Sequence, residues 1–401
     1  MEKTIDVVVA GHMCVDIAPT FEATQCRKVS EVLTPGALVQ VGPAKVSLGG
    51  PVVNTGLALK KFGMRIRAVA AVGDDLVGQL AMDLLKAEQA GDAVHPMAGA
   101  TTSYTIALAP PGIDRMFLHC PGSNDTFTSG NVNFEAVRCS RAFHLGYPPV
   151  MKRMYEREGE ELARIFGQAK QCDVTTSLDM ALPDLTTEAG RAPWRTILER
   201  ILPDVDVFMP SIEELALMFE PADYLELKHA HPDTDLADAF PVETYRRLAT
   251  KALGMGCGMC VIKTGRRGYY LRSGSSDRLE AFGSSARPGA DRWVDRELWA
   301  PAYAVEPIVS ATGSGDASIA GFLTGFLRGF GPEACMQMGC GAGHFNLKGL
   351  DGLSTLPDWV ALERFVQADP KQENPQLEGS GFMYDRCSGV YRGGQDREQS
   401  R

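Results

Sequence analysis

Thr312-Gly313-Ser314-Gly315-Asp316-Ala317-Ser318-Ile319-Ala320-Gly321-Phe322-Leu323 joins a glycine-rich turn to an apolar periodicity. Ile319, Phe322, Leu323, Phe326 and Leu327 fall at i, i+3, i+4, i+7 and i+8. That is the spacing of one helix face, so the segment predicts an amphipathic helix starting close to Asp316. Gly313, Ser314 and Gly315 then lie at a helix N-terminus, where unpaired amides and the positive end of the helix dipole favour an anion such as a phosphoryl group. A carboxylate beside that hole repels the anion it should bind. As a base it is useful: it accepts a proton from a substrate hydroxyl, and the alkoxide attacks the phosphoryl group that the amides hold. Ordinary capping also places Asp and Gly at helix starts, so the rest of the chain has to decide between the two readings.

Outward from this segment the chain has α/β grammar. Short runs rich in β-branched residues, Val7 to Val9, Ile66 to Val72, Ala142 to Leu145, Val174 to Leu178, Val205 to Phe208 and Val261 to Thr264, are mostly followed by helix-like stretches. Unalternated runs such as Val7-Val8-Val9 fit strands of a mainly parallel sheet covered on both faces, whose ligands collect at the C-terminal strand ends. Leu38 to Leu48 and Thr101 to His119 differ. In the second, Tyr104, Ile106 and Leu108 alternate with Thr105 and Ala107 before Pro110-Pro111-Gly112 turns the chain back. The two stretches predict a small sheet standing off the main domain as a lid.

The 401 residues are 44% hydrophobic with a net charge of −10, enough apolar content for a large core and no basic surplus for phosphate backbones. Nucleic-acid and membrane partners are therefore not expected, and the N-terminus shows no secretory leader, so the expectation is a cytoplasmic protein acting on small molecules. The ten cysteines follow no disulfide framework; Cys257 and Cys260 form a CxxC without a second half-site, and packing explains them. The Asn124-Asp125-Thr126 sequon has no meaning without secretion. A domain over 1–368 is expected, with its lid at about 16–48 and 100–121, a surface insertion at about 273–296, and a polar tail over 369–401 that packs weakly or is disordered.

Two further motifs accompany the helix start. Gly49-Gly50-Pro51-Val52-Val53-Asn54 is a paired-glycine turn leading into a helix, and Thr264-Gly265-Arg266-Arg267-Gly268 follows a strand. Neither GxxxxGK[ST] nor a strand-borne GxGxxG occurs, which excludes P-loop and dinucleotide-binding readings. With these motifs in this order from about Asp6 to about Leu356, the sequence resembles the PfkB (ribokinase-like) carbohydrate kinases. Gly49, Gly50 and Asn54 match the N-terminal signature, and Ser310-Ala311-Thr312-Gly313-Ser314-Gly315-Asp316 matches the C-terminal one.

The resemblance implies a ribokinase-like three-layer α/β sandwich, with a central mainly parallel sheet and a small β-sheet lid, that transfers a phosphoryl group from ATP with Mg2+ to a hydroxyl of a small sugar or polyol. It implies that Asp316 is the base, that Gly313, Ser314 and Gly315 are the anion hole, and that Asp16, Gly49, Gly50 and Asn54 hold the sugar. On the nucleotide side it implies Thr264, Gly265, Gly268, Ser211 and Glu214, with Glu214 acting on magnesium through water. Three positions depart from the pattern. Ser310 stands for an Asp that helps hold a monovalent cation, which makes potassium activation doubtful; Cys14 and Gly146 stand for an Asn and a Glu that touch the sugar in ribokinase itself. Ribose is therefore not the first choice. A nucleoside acceptor is the alternative, with Tyr104, Phe117 and Phe127 as candidates to hold a base. A non-catalytic sensor is a third reading, disfavoured because a sensor needs no base at Asp316. Lid pairing, common in related kinases, together with the apolar lid face implies a homodimer.

Overall fold

The computed structural model describes residues 2–21, 29–91, 94–112, 116–232 and 234–396; parts of the expected lid, 22–28 and 113–115, and the end of the expected tail, 397–401, lie outside the described residues. Val7, Val8, Val9 and Ala10 are all fully buried. Alternation along the strand Ile5–Gly11 sends Val7 and Val9 to one face and Val8 and Ala10 to the other. Val7 and Val9 belong to the same core as Ile319, Phe322 and Leu323 of the helix Ser314–Leu327. Val8 and Ala10 join the opposite core with Phe143, Leu162, Ile165 and Phe166. The unalternated run is thus the mark of a sheet between two helical layers, each buried side chain contributing roughly 1.5–3 kcal/mol.

Among the described residues the sheet has ten strands, in spatial order Met383–Asp385, Val390–Arg392, Glu297–Ala300, Tyr269–Ser273, Met259–Lys263, Val207–Phe208, Thr175–Asp179, Ser140–Gly146, Ile5–Gly11 and Ile66–Val69. The pairs from Met259–Lys263 to Ile66–Val69 are parallel; beyond Met259–Lys263 the sheet continues antiparallel. No helix among the described residues is long and apolar enough to cross a membrane.

The second sheet orders Ala44–Gly49, Cys14–Pro19, Tyr104–Leu108 and Met116–Cys120. Its last two strands form the antiparallel hairpin that the alternation predicts, and Cys14–Pro19 joins Tyr104–Leu108 in parallel. Register places Asp16, Thr105, His119 and Ser47 on one face, and Val15, Ile17, Leu48, Tyr104, Ile106 and Leu118 on the other. Asn124 is fully buried and exchanges hydrogen bonds with the Met13 backbone at the root of this sheet, which gives the sequon residue a structural role. Cys257 and Cys260 are buried free thiols.

Two expectations need correction. Residues 273–296 are not a surface insertion, because Leu279, Phe282, Trp293 and Val294 pack into the core beside Phe326. Its Gly and Ser residues mark turns between short helices whose apolar side chains face inward. The stretch from 369 also packs firmly: Val390–Arg392 pairs with Glu297–Ala300 and extends the main sheet. Asp396 is buried and accepts from Arg296 Nε at 3.0 Å and from the Glu297 backbone at 3.0 Å. Short strands held by ion pairs and by pairing to a distant strand leave too short an apolar pattern for periodicity to register.

Candidate active site

Gly11, Gly146, Asp179 and Lys263 close the C-terminal ends of four parallel strands, and Ser211 lies just beyond a fifth. Gly11 has φ +130°, and a Cβ there would stand 2.3 Å from the Gly146 carbonyl oxygen. A Cβ on Gly146 would stand 2.4 Å from Pro51. No side chain fits at Gly146, which explains the departure noted there. The next residue supplies one instead: Tyr147, held in the left-handed region at φ 63°, turns its hydroxyl toward Asp316.

Asp316 lies in the first turn of Ser314–Leu327 and is 1% exposed. Its Oδ2 accepts from Asn54 Nδ2 and from the Tyr147 hydroxyl, both at 3.0 Å, and its Oδ1 accepts from Thr55 Oγ1 at 3.2 Å. Burial pushes the Asp316 carboxyl up, against the downward pull of these bonds and of the Lys263 charge. Gly313 caps the helix at φ 75°, and a Cβ on it would come 3.2 Å from Gly352. Asn54, matched to the sugar-side turn, thus orients the carboxylate directly, from the helix Pro51–Lys61 that starts at Gly50.

Lys263 and Asp179 belong to this cluster and sequence reasoning missed both. Lys263 Nζ donates to Asp179 Oδ1, and the lysine stem runs past Gly315, where a Cβ would stand 3.5 Å from its Cδ. Asp179 is 1% exposed, and its Oδ2 has no hydrogen-bond partner. Burial pushes the Asp179 carboxyl up to about 8; Lys263 pulls it down, while the Glu214 and Asp316 charges add to the rise. Lys263 stays charged, its pKa raised by Asp179 and Glu214 against the cost of burial. One ammonium amid three carboxyl groups is a site short of positive charge. The signal was positional: both residues end parallel strands, where ligands of such sheets collect.

Glu214 and Ser211 form a capping box, Ser211 N donating to Glu214 Oε2 at 2.6 Å and Glu214 N to Ser211 Oγ at 3.3 Å. A serine where the family has Asn is therefore a working helix cap. Thr264 is buried and donates to its own loop at Gly268 O, 2.7 Å away; Gly265 and Gly268 hold φ 57° and 98°. A Cβ on Gly268 would stand 2.0 Å from Ala300 O, so backbone crowding by itself requires that glycine. Ser310 Oγ accepts from Thr312 N at 3.2 Å, tying the start of the motif.

On the side of the small sheet, Cys14 Sγ donates to Asp16 Oδ1 at 3.3 Å, and a Cβ on Gly49 would stand 2.1 Å from Asp16 Oδ2. Gly49 leaves room for that carboxylate. Burial raises the Asp16 carboxyl against hydrogen bonds from Cys14 and Thr105. His12, just beyond Ile5–Gly11, has its ring 5.4 Å from that of His119 and 6.3 Å from that of Tyr147. Gly50 holds φ 89°, and a Cβ there would stand 2.6 Å from His12 Nδ1. Of the aromatic residues considered for a base, Phe127 is fully buried in the main core and unavailable. Phe117, 59% exposed, pairs with Ala107 on the Asp16 face, and Tyr104 lies on the opposite face.

Residues 4–358 match the pfkB family of carbohydrate kinases. An uncharacterized sugar kinase of Archaeoglobus fulgidus is 22% identical over 284 residues, 71% of this chain and 91% of that protein. The fold is that of an Arabidopsis thaliana ribokinase complexed with ribose and ATP, with a TM-score of 0.66 at 16% identity over 92% of this chain and 99% of the other. A nucleoside kinase of Methanocaldococcus jannaschii superposes with a TM-score of 0.61 at 14% identity, covering 92% of this chain and 100% of the other. A ribokinase-like sandwich with a separate small sheet, matched to one family over nearly its whole length, makes this chain a kinase of the pfkB carbohydrate kinase family.

Proposed function

We propose that the protein transfers the γ-phosphoryl group of ATP to a hydroxyl of a small sugar or polyol bound between Asp16 and Asp316. The observation that carries this reading is the buried Asp316 carboxylate, fixed by Asn54, Thr55 and Tyr147 at the N-terminus of Ser314–Leu327, with Lys263 alongside. Each carboxylate oxygen has two acceptor sites, so Oδ1 keeps one for an incoming hydroxyl. Burial raises the Asp316 carboxyl above its ordinary value, which makes the carboxylate a stronger base toward a hydroxyl proton.

Asp16 accepts hydroxyls on the far side of the sugar, and Gly49, Gly50 and Asn54 shape the floor. The amides of Gly313, Ser314 and Gly315 cradle the transferring group, and Lys263 turns from Asp179 toward it. Thr264, Gly265 and Gly268 border the nucleotide. Positioning and fixed charge supply most of the rate, as expected for a loose phosphoryl transfer.

Magnesium fits this site. Asp179 Oδ2 is buried and unpartnered, and Glu214 is close enough for its charge to act on Asp179. Among the described residues no three His, Cys, Asp or Glu side chains form a metal site by themselves. Magnesium needs only one or two carboxylates plus phosphates and water. Asp179 and Glu214, the latter through water, would hold it; bound there, it neutralises charge on the phosphates.

Phe117 on the Asp16 face of the lid favours a nucleoside acceptor as the second reading. Radiolabelled γ-phosphate from ATP, followed into products over a panel of neutral sugars, polyols and nucleosides, tests the proposal. Transfer to at least one acceptor is expected, and tight binding of both ligands without transfer would support a sensor instead.

A further inference from the structure

His12 is 5% exposed, yet neither ring nitrogen has a hydrogen-bond partner. A buried polar group left unpaired is destabilising, and each imidazole nitrogen is a donor or an acceptor that water or a ligand would otherwise satisfy. His344 is similarly unpaired, but its ring stacks on Phe365 at 4.5 Å, on the far helix. His12 instead lies just beyond the strand Ile5–Gly11, beside the site. Its ring faces His119, which shares the lid face of Asp16, and Tyr147, whose hydroxyl holds Asp316. Gly50 keeps that space open.

Among the described residues the same ground is poor in positive charge. Cys14, Thr105 and His119 surround Asp16, and the charges acting on His119 are the carboxylates of Asp16 and Asp125. Lys45 is paired with Asp351, and Lys263 is held at Asp179. Among the described residues, no cation would offset Asp16 for a phosphate or carboxylate on the acceptor.

We infer that His12 determines acceptor specificity by hydrogen bonding a substrate hydroxyl, and that the acceptor is an uncharged polyhydroxy ring rather than a sugar phosphate or sugar acid. The inference rests on the kinase reading for its site and goes beyond it in naming the substrate class and the residue.

The test uses the full chain with ATP and two sets of acceptors: D-ribose, D-fructose, D-glucose and myo-inositol against ribose 5-phosphate, fructose 6-phosphate and gluconate. The best neutral acceptor should exceed its charged counterparts in kcat/KM. His12→Leu should raise its KM about tenfold or more, as loss of a buried hydrogen-bonding group does, and leave the ATP KM unchanged. His12→Asn, which keeps donor and acceptor atoms, should fall between. The melting temperature of His12→Leu should hold or rise, because the orphaned nitrogens are gone; a structural histidine would lower it. An unchanged acceptor KM, a lowered melting temperature with both KM values raised, or equal use of charged acceptors overturns the inference. Calorimetric binding of the same sugars decides it without turnover. Binding that weakens in His12→Leu while no acceptor is phosphorylated contradicts only the kinase reading, and binding of no neutral sugar overturns the inference.

Discussion

Replacing Asp179 by Asn should change how stability depends on pH. The carboxyl is 1% exposed, touches Lys263, and is pushed from 3.8 up to about 8. A carboxyl raised on folding takes up a proton in the native state. Its stabilising contribution is therefore complete below 3.8 and is lost as pH rises through about 8. Each pH unit in that window removes at most about 1.4 kcal/mol. Between pH 6 and pH 8, allowing for half-titration at the upper end, the loss is about 2 kcal/mol. Asn at this position cannot titrate, so relative to wild type Asp179→Asn should gain about 2 kcal/mol over the same interval. Urea unfolding of both proteins at pH 6, 7 and 8, without nucleotide, reads the difference, since groups distant from this cluster cancel and what remains belongs to Asp179 with the charges it touches. A difference that stays constant across the three pH values would refute the buried, proton-holding carboxyl and the account of a site short of positive charge.

Lys263→Met should lower turnover by about 10²–10³, the scale of losing one fixed charge-stabilising group; near-wild-type kcat would remove Lys263 from the phosphoryl site. Asp16→Ala should weaken sugar binding and leave ATP affinity unchanged in separate calorimetric titrations, and equal loss of both would indicate a folding defect. With a neutral hydroxyl at Ser310, rates in potassium and in tetramethylammonium at equal ionic strength should agree; tenfold activation, as carbonyl oxygens alone could support, would contradict this. The apolar lid face carries exposed Leu118 beside Ile106 and Ile17, so sedimentation should show a dimer that Ile106→Asp shifts toward monomer, and a wild-type monomer at micromolar concentration would refute the pairing.

The fold was legible wherever long-range physics imprints a pattern. Val7 to Ala10 are buried on both faces of one strand, and a helix does start at the predicted place after Gly313; it is not amphipathic as expected, because every residue from Asp316 to Leu327 is buried. The hairpin of the small sheet followed from alternation together with the Pro110-Pro111-Gly112 turn. What escaped depends on contacts distant in sequence. Asp396 is fixed by Arg296, a hundred positions earlier, and no local pattern announces that pair. Gly146 was visible as a departure, but only Pro51 against it shows why no side chain fits and why Tyr147 takes over. Lys263, Asp179 and His12 stand at or just beyond strand ends, and which strand ends come together is a property of topology. Glu214 and Ser211 were legible as residues, whereas their mutual capping bonds emerged only from geometry.

The central claim is that Asp316 takes the proton of the acceptor hydroxyl, and steady-state turnover of Asp316→Asn together with its ATP affinity tests it most directly. Asn keeps the shape and the bonds with Tyr147 and Thr55 in reach while removing the charge, so ATP should bind as tightly as in wild type or slightly more tightly. Phosphoryl transfer should fall by about 10²–10⁴ or more, as for the loss of a general base. A variant that binds ATP normally and keeps more than about a tenth of wild-type turnover would contradict the account.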